Sequence, residues 1–198
     1  MEVVLNTERK PVTTHPVVLI AGDGWCLKED FASFLALGIP HDVYAIGRSI
    51  NLFETVDHWG NVDCGESIWW AEHLPDKWRT VPQRHTLGAM RGFDFDWSIP
   101  QSDYDMEDIL WHGSTALFCV YTALAMGYRR VVLAGCPMDS GGHWYHPGIK
   151  GPRWTGESYR AWLDFKQLPE AERVRSMSGY TKIILGEPDA PWLSDRQK

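Results

Sequence analysis

The chain has 198 residues and a mass of 22.6 kDa, which is the size of one medium domain. Hydrophobic residues make up 44% of it and charged residues 23%, which excludes a disordered chain and argues against collagen-like and solenoid repeats. A net charge of −7 argues against nucleic acid as the main partner. Its longest apolar stretch, Ala116 to Met126, is far shorter than the ~20 residues of a membrane-spanning helix.

Cysteine usage and the N-terminal residues indicate a cellular compartment. The N-terminus lacks the apolar core of a signal peptide, and the four cysteines form no CxxC motif. We therefore expect a cytoplasmic protein with reduced thiols, no membrane span and no zinc ribbon. The 11 tryptophans are unusual, since tryptophan favours clefts, and an exposed tryptophan-rich face would also suit a homo-oligomer.

The first half of the chain begins with a regular pattern. Residues 1–15 form a lead-in, and Pro16–Gly22 (PVVLIAG) is a β-branched run typical of a buried strand. Leu27–Gly38 has the apolar spacing of an amphipathic helix, and His41–Gly47 predicts a second strand. A strand, a helix and a strand in this order form a βαβ unit, so the two strands should be parallel.

The middle of the chain is less regular. Residues 55–65 hold a candidate third strand, and residues 66–74 a short helix. Residues 75–110 are rich in Pro, Gly, Asp and Trp and show no hydrophobic period. A segment of this length without a period is typical of an irregular insert or a lid.

Order returns at Ser114. The apolar run Ser114–Tyr128 predicts a buried helix, Val131–Ala134 a strand, 157–168 a helix, and Tyr180–Pro188 a last parallel strand. Alternating strands and helices predict one α/β domain over residues 16–198. Its expected form is a Rossmann-like, doubly wound, mostly parallel sheet, with helices on both faces and a loop-rich lid.

Ligands of such sheets bind at the C-terminal ends of the strands, which directs attention to the loops there. The first loop is the turn Gly22-Asp23-Gly24-Trp25, where glycines let a ligand approach and a helix start favours an anion. A purely steric need for glycine explains the same pattern. At Ser114 and Thr115, a hydroxyl caps the following helix, and the same helix start can also bind a phosphate or carboxylate.

The richest loop follows the strand that ends at Gly135. Asp139 there suits sugar hydroxyls, while His143 and His146 suit acid–base chemistry and Tyr145 can donate to a phosphate. The alternative is a surface loop with two solvated histidines. A metal site built from Asp139 and the two histidines matches no strong ligand spacing, so we favour a site without metal.

The order of these motifs points to a family. An AGxGxxL turn, a DVY strand, a GST helix start, the run ALAMGYRRVVLAG and a His-containing loop follow one another from Val17 to Pro188. This order resembles the small bacterial sialyltransferases that use a CMP-activated sugar, and the related 6-hydroxymethylpterin diphosphokinase-like proteins. The best-matching part is Thr115–Met138.

The resemblance implies roles for single residues. Gly22 and Gly24 match the family's first turn, with Asp23 in place of its asparagine, and Asn51 stands in for the asparagine of the second strand. Ser114 or Thr115 matches the hydroxyl at the helix start, and Asp139 matches the acid of the Gly-x-Asp turn, displaced along the chain. His146 best matches the catalytic histidine, with His143 as the second choice.

The resemblance therefore implies a glycosyltransferase with a nucleotide-sugar donor and a small-molecule or glycan acceptor. His146 would be the general base, Tyr145 would steady the leaving phosphate, and Asp23 or Asp139 would read the ribose. Backbone N–H groups at Gly22–Trp25 and 114–115 would hold the phosphate, with no further cofactor. One alternative is a Mg²⁺-dependent diphosphokinase acting on a small hydroxymethyl compound. Another is a non-catalytic nucleotide- or sugar-binding protein of phage or prophage origin.

Overall fold

The structure is a computed structural model that describes residues 3–62, 80–88, 92–99, 114–150 and 157–194. Its strands form one sheet in the order β1-β6-β5-β4-β3-β2-β7-β8, in which every neighbouring pair is parallel except β1 and β6. The strands are β1 (Val4–Leu5), β2 (Val17–Ala21), β3 (Asp42–Ile46), β4 (His58–Gly60), β5 (Arg84–Leu87), β6 (Phe95–Ser98), β7 (Arg130–Ala134) and β8 (Val174–Ser176).

Helices connect or follow these strands. They are α1 (Leu27–Leu35), α2 (Thr115–Ala125), α3 (Glu157–Lys166), α4 (Gly179–Leu185) and α5 (Ala190–Ser194), with 3₁₀ helices at Gly47–Leu52 and Pro169–Arg173. The predicted strands at 16–22, 41–47 and 131–134 and the predicted helices at 27–38, 114–128 and 157–168 are confirmed. The helix predicted at 66–74 lies outside the described residues.

Two apolar layers cover opposite faces of the sheet, because successive side chains of a strand point in opposite directions. On β2, Leu19 packs with Leu27 and Phe34 of α1, whereas Ile20 packs in the other layer with Leu117 of α2. All five residues are completely buried. The central strands are therefore apolar on both sides, and the mixed α/β class with a mostly parallel sheet is confirmed.

The last predicted strand is wrong. Gly179–Leu185 is helix α4, and the strand that pairs with β7 is instead β8. A short apolar run such as Ile183–Leu185 fits either period. The buried residues in the structure are Thr181 and Leu185, four positions apart, while Ile183 is 76% exposed, as on a helix.

Two strands of the sheet lie inside 75–110, where the sequence shows no period. β5 and β6 extend the sheet beyond β4, and β1, from the predicted lead-in, pairs with β6. The described part of 75–110 is thus regular. β5 lacks an apolar pattern because the polar side chains His85 and Thr86 are buried in it. β6 does bury Phe95 and Trp97 in alternation, but it is only four residues long. The third strand expected within 55–65 is confirmed at β4. The lid stays a prediction.

A chain of buried hydrogen bonds crosses five segments of the fold. The Trp97 indole N–H donates to His85 Nδ1 (3.1 Å), so the neutral His85 ring carries its proton on Nε2 and donates it to His58 Nδ1 (3.0 Å). His58 Nε2 then donates to the Tyr128 hydroxyl (2.8 Å), which donates to Asp42 (2.6 Å). We call this set the histidine chain.

Both imidazoles of the histidine chain are neutral. Burial lowers the pKa of His58 from 6.5 to about 4, although the charge of Asp42 partly opposes this change. Burial and the neighbouring His58 also hold the pKa of His85 well below its ordinary value. The direction of every proton in the histidine chain follows from this neutrality.

Candidate functional site

The loops that follow β2 and β7 lie against each other at the C-terminal edge of the sheet. The Gly22 N–H donates to the Ala134 carbonyl (2.8 Å), and the Gly24 N–H to the Gly135 carbonyl (2.7 Å). Further along, Gly24 forms an antiparallel bridge with His143. The two loops singled out from the sequence therefore form one surface.

Glycines are required here by the closeness of the two loops. A β-carbon on Gly24 would lie 2.4 Å from Cδ of Pro137. A β-carbon on Gly179, whose φ is +65°, would lie 2.3 Å from the Pro137 carbonyl oxygen. Pro137 is thus clamped between two glycines from distant parts of the chain, which fixes the path of the loop after β7.

The amides expected to hold a phosphate are already used. The N–H groups of Gly22 and Gly24 bind the carbonyl groups described above, and the Trp25 N–H donates to the Gly142 carbonyl (3.0 Å). The N–H groups of Gly22, Gly24 and Trp25 are therefore engaged within the protein, and the phosphate cradle at Gly22–Trp25 stays a prediction. The glycines serve the close packing of two loops, which is the steric alternative.

Asp23 projects from the first turn into the junction of β2, β3 and the β7 loop. Its half-buried carboxylate accepts hydrogen bonds from the Arg48 backbone N–H (3.0 Å) and the Trp144 indole N–H (3.3 Å). A β-carbon on Gly47 would lie 2.5 Å from its Oδ2. Burial raises the pKa of Asp23 from 3.8 to about 7, against the opposing effect of these donors. Such a carboxyl group can exchange a proton near neutral pH.

A cluster of aromatic side chains in the β7 loop, with two cations on it, is joined to Asp23 through the Trp144 indole. The His143 ring stacks on the Tyr145 ring at 5.0 Å, and the His146 ring meets Tyr145 edge-on at 4.9 Å. The Arg48 guanidinium lies 4.5 Å above the Tyr145 ring. On the neighbouring Trp144 ring, the Lys28 ammonium lies at 5.4 Å. The predicted residues 143, 145 and 146 are thus brought together.

Trp25 and Asp139 form a second part of the surface. The Trp25 indole N–H donates to Asp139 Oδ1 (3.0 Å), and the Gly141 N–H donates to the same oxygen (2.8 Å). Trp25 is nevertheless 47% exposed. The remaining carboxylate oxygen of Asp139 has no hydrogen-bond partner among the described residues.

Asp30 holds the site in place and was missed from the sequence. Its Oδ2 accepts from the Gly135 N–H (2.8 Å) and from the Ser178 hydroxyl (2.7 Å), so it joins α1, the β7 loop and the start of α4. Its position on α1, next to the buried face, was the available signal. The Cys26 thiol lies 2.9 Å from the Ser178 hydroxyl, and burial raises the pKa of Cys26 to about 12. Cys26 is therefore not a nucleophile at neutral pH.

Three predicted residues have no hydrogen bond to this surface among the described residues. The Ser114 hydroxyl caps α2 by accepting from the Leu117 N–H (3.3 Å), as the cap interpretation predicts. Thr115 begins the same helix, and Asn51 is exposed in the 3₁₀ helix after β3. Within the described ranges, no hydrogen bond joins any of the three to the loops after β2 and β7.

The described residues contain neither a cluster of metal-ligating side chains nor a membrane-spanning helix. In these ranges, no three His, Cys, Asp or Glu side chains are grouped as metal ligands. None of the helices in the same ranges combines the length and apolar character needed to span a bilayer.

Comparison of the chain with models of known protein families, with curated protein sequences and with solved structures finds no match. What the chain itself defines is a mixed α/β protein with a mostly parallel sheet, whose polar and aromatic side chains gather at one edge.

Proposed function

We propose that the chain is a transferase that binds an activated nucleotide donor at the edge formed by the loops after β2 and β7. The strand order supports this location. From β2 the chain continues through β3 to β6 on one side and then returns to β7 on the other. In a doubly wound, Rossmann-like sheet the ligand crevice lies at this reversal. Of the reactions such a site supports, we favour glycosyl transfer.

The observation that carries the proposal is the Asp23 carboxyl group, which the Arg48 N–H (3.0 Å) and the Trp144 indole N–H (3.3 Å) hold at this edge and whose pKa burial raises to about 7. A general base works best when its pKa is close to the working pH. Asp23 takes the proton of the acceptor hydroxyl, and the acceptor oxygen attacks the anomeric carbon of the donor sugar. The bond from that carbon to the phosphate oxygen breaks, and the nucleotide leaves with the electron pair.

Asp23 replaces His146 as the proposed base. Two donors, the Arg48 N–H and the Trp144 indole, fix the orientation of the Asp23 carboxylate. His146 is exposed, and its ring lies edge-on against the ring of Tyr145. A fixed group is the better base, because the proton must be taken in one geometry.

Donor binding uses the cations rather than the turn amides. Arg48 lies over the ring of Tyr145 and Lys28 over the ring of Trp144, whose indole N–H binds Asp23. In that position both cations can neutralise the phosphate of the donor, and the Tyr145 hydroxyl can donate to it.

Diphosphoryl transfer to a small hydroxymethyl compound is the second candidate. The observation that favours it is the presence of two carboxylates, Asp23 and Asp139, at the same edge of the sheet. In that reaction both acids would face a Mg²⁺–nucleotide complex. Dependence on Mg²⁺ separates the two candidates.

The first test is a thermal-shift panel with CMP, CDP, CTP, UDP, GDP and ATP, each with and without Mg²⁺. A ligand at 100 times its Kd adds about 2.7 kcal/mol of stability. A shift with cytidine nucleotides that needs no metal supports glycosyl transfer. A shift with ATP only in the presence of Mg²⁺ supports diphosphoryl transfer. No shift with any nucleotide overturns both.

The second test is turnover of the donor that the panel selects. Asp23→Asn keeps the shape of the side chain but removes the base, so we expect a loss of about 10²–10⁴-fold in kcat with nucleotide binding retained. The matched control is Asp164→Asn, an exposed aspartate on α3. Equal turnover by the two variants would refute Asp23 as the base.

A further inference from the structure

We propose that Trp25 and Asp139 form the acceptor subsite of this site, and that the acceptor is a neutral sugar ring. This inference rests on the proposed function, because it names the second substrate of the same edge. The two side chains lie on the face that the β2 and β7 loops share, joined by the hydrogen bond from the Trp25 indole N–H to Asp139 Oδ1 (3.0 Å).

Trp25 is exposed but held in one orientation. Its backbone N–H binds the Gly142 carbonyl (3.0 Å), and its indole N–H binds Asp139. A β-carbon on Gly141 would lie 2.0 Å from Cδ1 of Trp25, so that glycine packs directly against the ring. Yet 47% of the residue remains open to solvent. A large apolar ring that is fixed without being buried offers a preformed flat surface at little entropic cost.

Asp139 adds a hydrogen-bond acceptor beside that surface. Its Oδ1 accepts from both the Trp25 indole and the Gly141 N–H, which fixes the carboxylate. Among the described residues, its Oδ2 has no partner. A carboxylate oxygen next to an aromatic face matches a pyranose, whose C–H groups lie on the ring while a hydroxyl donates to the acid.

The site has two halves, one around Tyr145 and Trp144 and the other around Trp25 and Asp139. The charges in each half indicate the kind of ligand that it would bind. Arg48 and Lys28 lie over Tyr145 and Trp144, so that half suits an anionic donor. In the Trp25 half, the side chain bound to the indole is the Asp139 carboxylate. A phosphate would be repelled by this carboxylate, whereas an uncharged polyol would not. We therefore assign the donor to the first half and a neutral acceptor to the second.

The test measures binding of methyl glycosides of glucose, galactose, mannose and N-acetylglucosamine by saturation-transfer NMR, with cytidine and adenosine as competing probes. The variants are Trp25→Ala, Trp25→Phe, which keeps an apolar ring, and Asp139→Asn. The control is Ile183→Ala, which removes an even more exposed apolar side chain from α4. Thermal unfolding of each variant shows that it is folded.

We expect at least one glycoside to bind at millimolar concentration. Trp25→Ala should weaken it about tenfold or more, Trp25→Phe less, and Ile183→Ala not at all. Asp139→Asn should weaken binding without abolishing it. The inference is overturned if no glycoside binds, if Trp25→Ala leaves binding unchanged, or if Trp25→Ala weakens only the nucleosides, since the ring would then bind a base.

Failure of this inference and failure of the proposed function give different results. If nucleotides shift the melting temperature and turnover requires Asp23, but no glycoside depends on Trp25, only the acceptor subsite is refuted. If a glycoside depends on Trp25 while no nucleotide binds, the proposed transferase is refuted and the edge is a sugar-binding site.

Discussion

Replacing His85 by phenylalanine should change how the stability of the protein depends on pH. The substitution keeps an aromatic ring between Phe95 and Trp97 but leaves the Trp97 indole N–H and the His58 Nδ1 without their partner. Each buried polar group left unpaired costs about 1–3 kcal/mol. At pH 7.5 we therefore expect the variant to be about 2–4 kcal/mol less stable, after some gain from the apolar ring.

The difference between the two proteins should shrink in acid. The pKa of both imidazoles is lower in the folded protein than in the unfolded chain, so the unfolded chain takes up protons first as the pH falls. The contribution of the two neutral imidazoles to the free energy of unfolding is complete above pH 6.5 and is lost as the pH falls towards 4. For His58, the fall from 6.5 to about 4 corresponds to about 3 kcal/mol. Replacing His85 removes one such group. Between pH 6 and 5, the slope of the free energy of unfolding against pH should therefore be smaller in the variant than in the unmodified protein, by about 1.4 kcal/mol per pH unit.

Urea denaturation at half-unit steps from pH 7.5 to 4.5 measures this difference directly. The raised pKa of Asp23 acts with the opposite sign over the same range, but it is common to both proteins and cancels in the comparison. Ile183→Ala is the control, because it changes an exposed residue that carries no titratable group, and its curve should run parallel to that of the unmodified protein. If the His85→Phe curve also runs parallel, His85 is not a buried neutral group and the description of the histidine chain is refuted.

Three further predictions concern the site and its supports. Gly179→Ala should cost about 1–3 kcal/mol more than Gly38→Ala in urea denaturation: both have a φ of +65°, but only the first β-carbon would meet Pro137. As the pH rises from 4 to 7, the Asp23→Asn variant should become more stable relative to the unmodified protein. The reason is that the unmodified protein must ionise a buried carboxyl group whose pKa is about 7 in the folded state. The gain is at most about 4 kcal/mol and is reduced by solvent screening. A flat difference would contradict that pKa. Ser114→Ala should lower the melting temperature through a loss of about 1 kcal/mol, and Ser114→Asp should restore it.

The elements with a strong hydrophobic period could be predicted from the sequence. β2 and β7 are β-branched runs that end in glycine, and α1 and α2 have long apolar patterns. Because β2 and β7 were recognised as parallel strands, the loops after them could be placed at one edge of the sheet. That the two loops touch follows from the strand order, which no local pattern contains.

The burial of polar residues could not be predicted. β5 is short and contains His85, whose burial is stabilised only by partners far away in the sequence. The strand β4 was expected from the sequence, but the burial of its His58 was not. Asp30 lies next to the buried face of α1, but its role as an acceptor depends on Gly135 and Ser178, which are far away in the sequence. The exposed or buried state of a polar residue depends on tertiary contacts, and periodicity gives no information about it.

The edge of the sheet that we assign to ligands is assembled from parts made at different times. Gly22–Trp25 and Gly135–Asp139 meet through the pairing of β2 with β7, which are separated by more than a hundred residues of the chain. During synthesis on the ribosome, β2 to β6 can pair while the position beside β2 is still empty. The nascent protein therefore cannot complete the proposed ligand site until β7 has emerged and docked. Until then, one side of a fully apolar strand remains open, and this stage is where we expect the protein to depend most on chaperones.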